Sequence, residues 1–166
     1  MGEKKKNEVC VFLLWLAVAI LLSAFVVNFI MTPVTVIGES MEPTITDHSY
    51  AFSSRLALRD VERFDIVTVS VNDKLLIKRV IGLPGEEIEY VDSRLYVNGK
   101  YVPEDFLDSN VATEDFSCVV PLGSYFLMGD NREVSIDSRY YGAFGKKDLI
   151  AGDIFVLYPF SNFGKV

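Results

Sequence analysis

The sequence predicts a mainly β protein, an antiparallel β-sheet domain following one N-terminal transmembrane helix. Three observations carry that expectation. Residues 9–31 form a long apolar run without a charge, the remainder breaks into short β-type runs, and turn signals stand between those runs.

The run VCVFLLWLAVAILLSAFVVNFIM has only Ser23 and Asn28 as clearly polar side chains. As a helix it would extend about 34 Å, enough to cross a hydrocarbon layer of roughly 30 Å. A cleavable secretory signal has an apolar core of roughly 7–15 residues, so an uncleaved anchor is expected. Lys4, Lys5 and Lys6 precede the run, and no Lys or Arg follows it until Arg55. Positive charge is retained in the cytoplasm, which predicts a cytoplasmic amino terminus and an exported remainder. The chain accordingly divides into residues 1–31, the N-terminal segment and anchor, for which membrane lipid is the expected partner, and residues 32–166, one extracytoplasmic β-rich domain.

In the exported part, β-branched and aromatic residues cluster at 35–37, 66–71, 75–81, 87–91, 95–97, 124–128 and 153–158. Asn72-Asp73, Leu83-Pro84-Gly85 and Asn98-Gly99 separate some of these runs. Asn-Gly favours a tight hairpin because both residues accept positive φ, so antiparallel pairing is expected. Residues 105–117 are polar and acidic and read as a surface excursion without chemistry. There is no internal repeat, low-complexity tract or linker marking a further domain.

Composition narrows the function. A net charge of −7 argues against a nucleic-acid partner. Cys10 lies in the apolar run and Cys118 outside it, so no disulfide framework is expected. A single histidine gives no support for a metal site, and no cofactor is called for.

Three segments concentrate reactive side chains. In Val36-Ile37-Gly38-Glu39-Ser40-Met41-Glu42-Pro43-Thr44 a serine stands a few residues beyond the apolar run. A serine needs a base and oxyanion donors to act as a nucleophile; alone it fits a turn equally well. In the run Leu75 to Ile81, alternation puts Lys78 on one face with Leu76 and Val80, and Ile77 and Arg79 on the other. Apolar neighbours would desolvate the amine and lower its pKa, whereas an exposed strand lysine would stay charged. The third segment, residues 128–142, packs Asp130, Asn131, Arg132, Ser135, Asp137, Ser138 and Arg139 into one loop, a pattern that surface ion pairs could also produce.

Taken in order, these segments resemble the bacterial type I signal peptidases, serine proteases with a Ser-Lys dyad that cleave signal peptides from exported preproteins. The resemblance rests on Gly38 to Thr44, Asp65-Ile66-Val67, Lys78 to Gly85 and Gly129 to Arg139 following a single anchor. It implies that Ser40 is the nucleophile, Lys78 the general base, and Ser135 a hydroxyl that orients the amine. Asp130, Asp137, Ser138, Arg79 and Arg139 become the polar framework, with each carboxylate expected to pair with an arginine. Gly38 stands where some family members carry a hydroxyl donor for the oxyanion. Backbone N–H groups, including that of Ser40, would therefore supply the stabilisation, and Gly38 would allow close backbone approach.

Signal peptides of secretory preproteins are the implied partners. They would bind extended, with Val36, Ile37, Met41, Ile45 and Ile77 as expected pocket residues. The motifs leave open a specialised peptidase, pilin-type or otherwise narrow in range, and a catalytically silent membrane-tethered binding module. A histidine-based variant would have to use His48.

Overall fold

The computed structural model describes residues 2–72 and 74–166. The apolar run lies in a helix, α1 (Gly2–Phe29). Its segment Asn7–Val27 has a mean hydropathy of 2.9 and is not buried against the rest of the protein. A helix apolar on every side and uncovered by protein has the length and composition to cross a membrane. It stops at Phe29, short of the expected Met31, because Met31 already pairs with Ser54 in a sheet.

The strands are β1 (Met31–Thr35), β2 (Tyr50–Ser54), β3 (Ile66–Val71), β4 (Lys74–Gly82), β5 (Glu87–Val91), β6 (Arg94–Val97), β7 (Lys100–Tyr101), β8 (Phe116–Val119), β9 (Ser124–Met128), β10 (Phe144–Gly145), β11 (Leu149–Tyr158) and β12 (Gly164–Lys165). A four-residue helix, α2 (Ser138–Tyr141), follows the loop after β9. The large sheet runs β1-β2-β11-β3-β4-β9-β10, with β12 on β11, and the small sheet runs β7-β6-β5-β8. The pairings are antiparallel, as alternating apolar patterns joined by tight turns require.

Apolar side chains collect in three clusters. One joins Met41 and Ile45 to Ile154 and Val156 of β11. The second fills the space between β9 and the small sheet through Phe126, Met128, Ile88 and Tyr90. The third covers one face of β3, β4 and β9 with Val67, Val69, Val80 and Leu127.

Several expectations need adjustment. The strand expected at 35–37 lies at Met31–Thr35 instead, since its register with β2 begins immediately after the helix. Pro33 is accommodated because β1 is an edge strand. The last run starts at Leu149 rather than 153. Asp153 sits at φ +49° beside a register shift between Gly152 and Ile154, and such a bulge breaks the alternation by which strands are recognised. Strands β2 and β8 were not anticipated, being short and serine-bearing; partners on β11 and β5 hold them. The Asn98-Gly99 hairpin is present, at φ +50° and +74°. Asp73 of the Asn72-Asp73 turn lies outside the described residues.

The stretch 105–117 is not wholly a surface excursion. Phe106 lies under the Arg79 guanidinium, 4.0 Å from Cζ to the ring centre, Thr113 is buried, and Phe116 opens β8.

Candidate active site

Strand β4 positions the central residue. Lys78 pairs with Val67 on β3, and its same-face neighbours Leu76 and Val80 pack in the cluster that holds Val67, Val69 and Leu127. From Ile77 onward β4 is buried on both faces, so the lysine stem is enclosed and its amine meets Ser40. Lys78 is 2% exposed, and its Nζ lies 2.6 Å from Ser40 Oγ. The two residues, 38 apart in the chain, form the contact that a serine nucleophile and its base require.

Burial is the main force on the amine. Desolvation lowers the Lys78 pKa from 10.5 to about 8; Asp137 and Asp130 pull it back upward, and Arg139 adds to the fall.

The Ser40 segment is tied to the loop after β9. Asn131 donates its N–H to the Ser40 carbonyl at 3.1 Å. Gly129 sits where a Cβ would collide with both that carbonyl and the Ser135 hydroxyl, so only glycine lets the two segments meet. Gly129 was part of the recognised motif, but nothing in the sequence revealed that its missing side chain is the space the site is built in.

Two expected ion pairs are present. Arg79 is bidentate on Asp130, with Nε to Oδ1 at 2.8 Å and an Nη to Oδ2 at 2.6 Å; Thr44 Oγ1 also donates to Asp130, at 2.5 Å. Arg139 grips Asp137 through Nε and an Nη, both at 2.9 Å. Burial alone would raise the Asp137 pKa. The bonds from Arg139 and the Gly129 N–H, with the Ser135 hydroxyl close by, outweigh it and hold the carboxyl below its ordinary 3.8. Ser138 is buried, and its Oγ accepts the Leu127 N–H at 2.8 Å, fastening α2 to β9.

A further arginine of the same loop, to which the sequence assigns no role, links it to the small sheet. Arg132 is buried, donates Nε to the Gly129 carbonyl at 3.0 Å, and reaches Glu104 (2.6 Å), Tyr90 Oη (2.9 Å) and Thr113 Oγ1 (3.1 Å). It couples the loop of the site to the small sheet and to the stretch once assigned to the surface.

Other expectations are corrected. Ser135 Oγ is buried and has no hydrogen-bond partner among the described residues, so it does not hold the Lys78 amine in this conformation. It is turned into the tight space against Gly129, beside the Asp137 carboxylate but outside hydrogen-bond geometry. Gly38 adopts φ +103°, a conformation that favours glycine, and a Cβ there would meet no other part of the protein within 4 Å. Its N–H is donated to Asp47 Oδ1 at 2.7 Å. Of the expected pocket residues, Met41 and Ile45 are fully buried and Val36 and Ile77 nearly so, all in one core cluster. They belong to the core, because apolar side chains flanking the loop are drawn into the sheet interior. Ile37 is 86% exposed. His48 is exposed and pairs with Asp47 at 2.8 Å, whereas it is Lys78 that contacts Ser40.

Comparisons with known proteins identify the family. The family model described as signal peptidase, peptidase S26, matches residues 9–158. A signal peptidase I of Bacillus amyloliquefaciens is 37% identical, covering 97% of this chain and 94% of the relative. A signal peptidase IB of Staphylococcus aureus is 35% identical, over 95% of this chain and 94% of its own length. A crystal structure of a signal peptidase I from Enterococcus faecalis matches with a TM-score of 0.53 and 39% identity, covering 56% of this chain and 96% of that one. With a half-buried Ser-Lys contact on an antiparallel β scaffold and relatives matched over nearly their whole length, the chain belongs to the signal peptidase family, peptidase S26, and is a serine endopeptidase.

Proposed function

We propose that Ser40 is the nucleophile and Lys78 the general base with which this endopeptidase removes N-terminal signal peptides from exported preproteins. The observation that carries the reading is the 2.6 Å contact between Lys78 Nζ and Ser40 Oγ, made by an amine that burial brings to a pKa of about 8. At neutral pH about one amine in ten is then free to accept a proton.

In the first half-reaction neutral Lys78 takes the Ser40 proton as Oγ adds to the scissile carbonyl. Backbone N–H groups, that of Ser40 included, stabilise the oxyanion. The resulting ammonium gives its proton to the departing amine as the C–N bond breaks, releasing the mature chain and leaving an ester on Ser40. In the second, Lys78 takes a proton from water, the hydroxide adds to the ester, and the proton returns to Ser40 as the signal peptide leaves. Arg79–Asp130 and Arg139–Asp137 hold the loops in which these atoms lie. No cofactor takes part in these steps.

The anchor reading is that α1 crosses the cell membrane with Lys4, Lys5 and Lys6 on the cytoplasmic side. Residues 32–166 then act outside, beside the membrane that holds α1, on substrates confined to the same surface. That confinement raises the effective concentration.

Cleavage of a preprotein by the full-length chain in detergent tests the reading. Ser40→Ala and Lys78→Ala are each expected to lower kcat by at least about 1,000-fold. Full activity in either variant would remove the dyad.

A further inference from the structure

Strand β8 ends the small sheet: it pairs with β5 on one side and closes the order β7-β6-β5-β8. Along its other side lies a cavity of about 520 Å3, walled by Phe116, Cys118 and Val119 and, across from them, Ser138, Arg139 and Ala143. That cavity shares Arg139 and Glu114 with a second of about 530 Å3, which Ser135 lines. One groove therefore leads from the loop of the active site along the free edge of β8.

The backbone of β8 is presented to this groove. The Val120 N–H donates to the Glu86 carbonyl, and the Val120 carbonyl accepts the Gly85 N–H. Antiparallel bonds alternate along a strand, so Cys118 and Phe116 bond toward β5, while Ser117 and Val119 direct their N–H and C=O groups outward. Edge strands are ordinarily guarded by lysine, proline or inward charges. The sequence of β8, Phe-Ser-Cys-Val, contains none of these.

We propose that this edge binds the mature side of the preprotein, the residues following the scissile bond, as an added extended strand. The proposal rests on the reading that Ser40 and Lys78 perform the cut. Strand order supplies the direction. Helix α1 leads into β1, one end of the large sheet, whereas β9, β10 and the groove lie on the opposite side of the Lys78 strand. An apolar signal segment arriving from the anchor side places its cleaved bond at Ser40 and the following residues toward β8. Four residues alongside β8 span about 13 Å, and main-chain pairing accepts any mature sequence, as an enzyme acting on varied preproteins needs.

The test uses the full chain in detergent and peptides with one signal-side sequence followed by one, three or five mature residues. Two added backbone hydrogen bonds correspond to a rise of about tenfold in kcat/KM from the shortest to the longest peptide. N-methylation of the mature-side amides should erase that gain. Ser117→Pro removes an outward N–H at a position where an edge strand tolerates proline, so it should bring the longest peptide down to the rate of the shortest, with an unchanged melting temperature as the folding control. Independently, in Ser40→Ala the five-residue peptide should slow alkylation of Cys118 by iodoacetamide, read site by site by mass spectrometry, and the one-residue peptide should not. Rates independent of mature length, equal Cys118 alkylation with both peptides, or protection that follows enzyme concentration without peptide would overturn the proposal; the last would mean that a second copy fills the edge. Because the alkylation assay needs binding alone, failure of all cleavage would count against the dyad, while the groove would still be judged by Cys118.

Discussion

Replacing Lys78 with methionine, which keeps the length of the side chain and removes its charge, is expected to abolish cleavage while stabilising the protein at neutral pH. The amine is 2% exposed and its pKa falls from 10.5 to about 8, so the folded state binds this proton more weakly than the unfolded state. Folding is therefore opposed by the full amount below about pH 8, by a shrinking amount as the pH rises toward 10.5, and not at all above it. A shift of that size corresponds to about 3 kcal/mol. Methionine also forfeits the hydrogen bond to Ser40, a net loss of about 1 kcal/mol because the half-buried serine hydroxyl can turn to water. The variant should thus be more stable by about 2 kcal/mol at pH 7, a rise of roughly 5 °C in Tm for a domain of this size. Above about pH 10.5 the order should reverse, with wild type ahead by about 1 kcal/mol. Thermal unfolding followed by circular dichroism between pH 6 and 11 reads both limits. A gap that does not change with pH, or a wild type already ahead at pH 7, would refute the claim that burial of this amine sets its pKa.

The same amine predicts the pH dependence of the reaction: kcat/KM should climb through a limb near pH 8 and fall by about tenfold per unit below it; a limb two units lower in a peptide assay would point to a different base. Gly129→Ala drives a methyl group into the Ser40 carbonyl and the Ser135 hydroxyl. Displacement of Ser40, the proposed nucleophile, by even 1 Å should reduce kcat by about 100-fold, measurable beside an unchanged far-ultraviolet spectrum; near-normal turnover would show that the two loops are free to part. Asp130→Asn leaves the Arg79 guanidinium buried without its counter-charge. Urea unfolding should register a loss of about 3–5 kcal/mol, and a loss under 1 kcal/mol would mean that Phe106 and the Phe64 carbonyl suffice to hold the arginine.

Features written in neighbouring residues were legible before any coordinates. The helix α1 is a matter of unbroken apolar length, the strands β3, β5 and β9 follow from clustered β-branched and aromatic residues, and the Asn98-Gly99 hairpin follows from two residues that accept positive φ. Ser40, Lys78, Asp130 and Arg139 could be picked out because they stand in dense, ordered motifs, and alternation alone put Lys78 among Leu76 and Val80. Strands β2 and β8 escaped notice because short serine-bearing segments become strands through distant partners, and the bulge at Asp153 hid half of β11.

Distances across the chain were a different matter. Nothing local says that Ser40 ends 2.6 Å from Lys78, that Gly129 is the gap into which Ser40 and Ser135 fit, or that Arg132 reaches Glu104, Tyr90 and Thr113. Nor could the residues flanking Ser40 reveal whether they line a pocket or, like Met41 and Ile45, sink into the core. Periodicity and turn chemistry are properties of adjacent residues and survive in the linear text. Desolvation, close packing and charge pairing depend on which segments become neighbours, and that is settled when the sheets assemble.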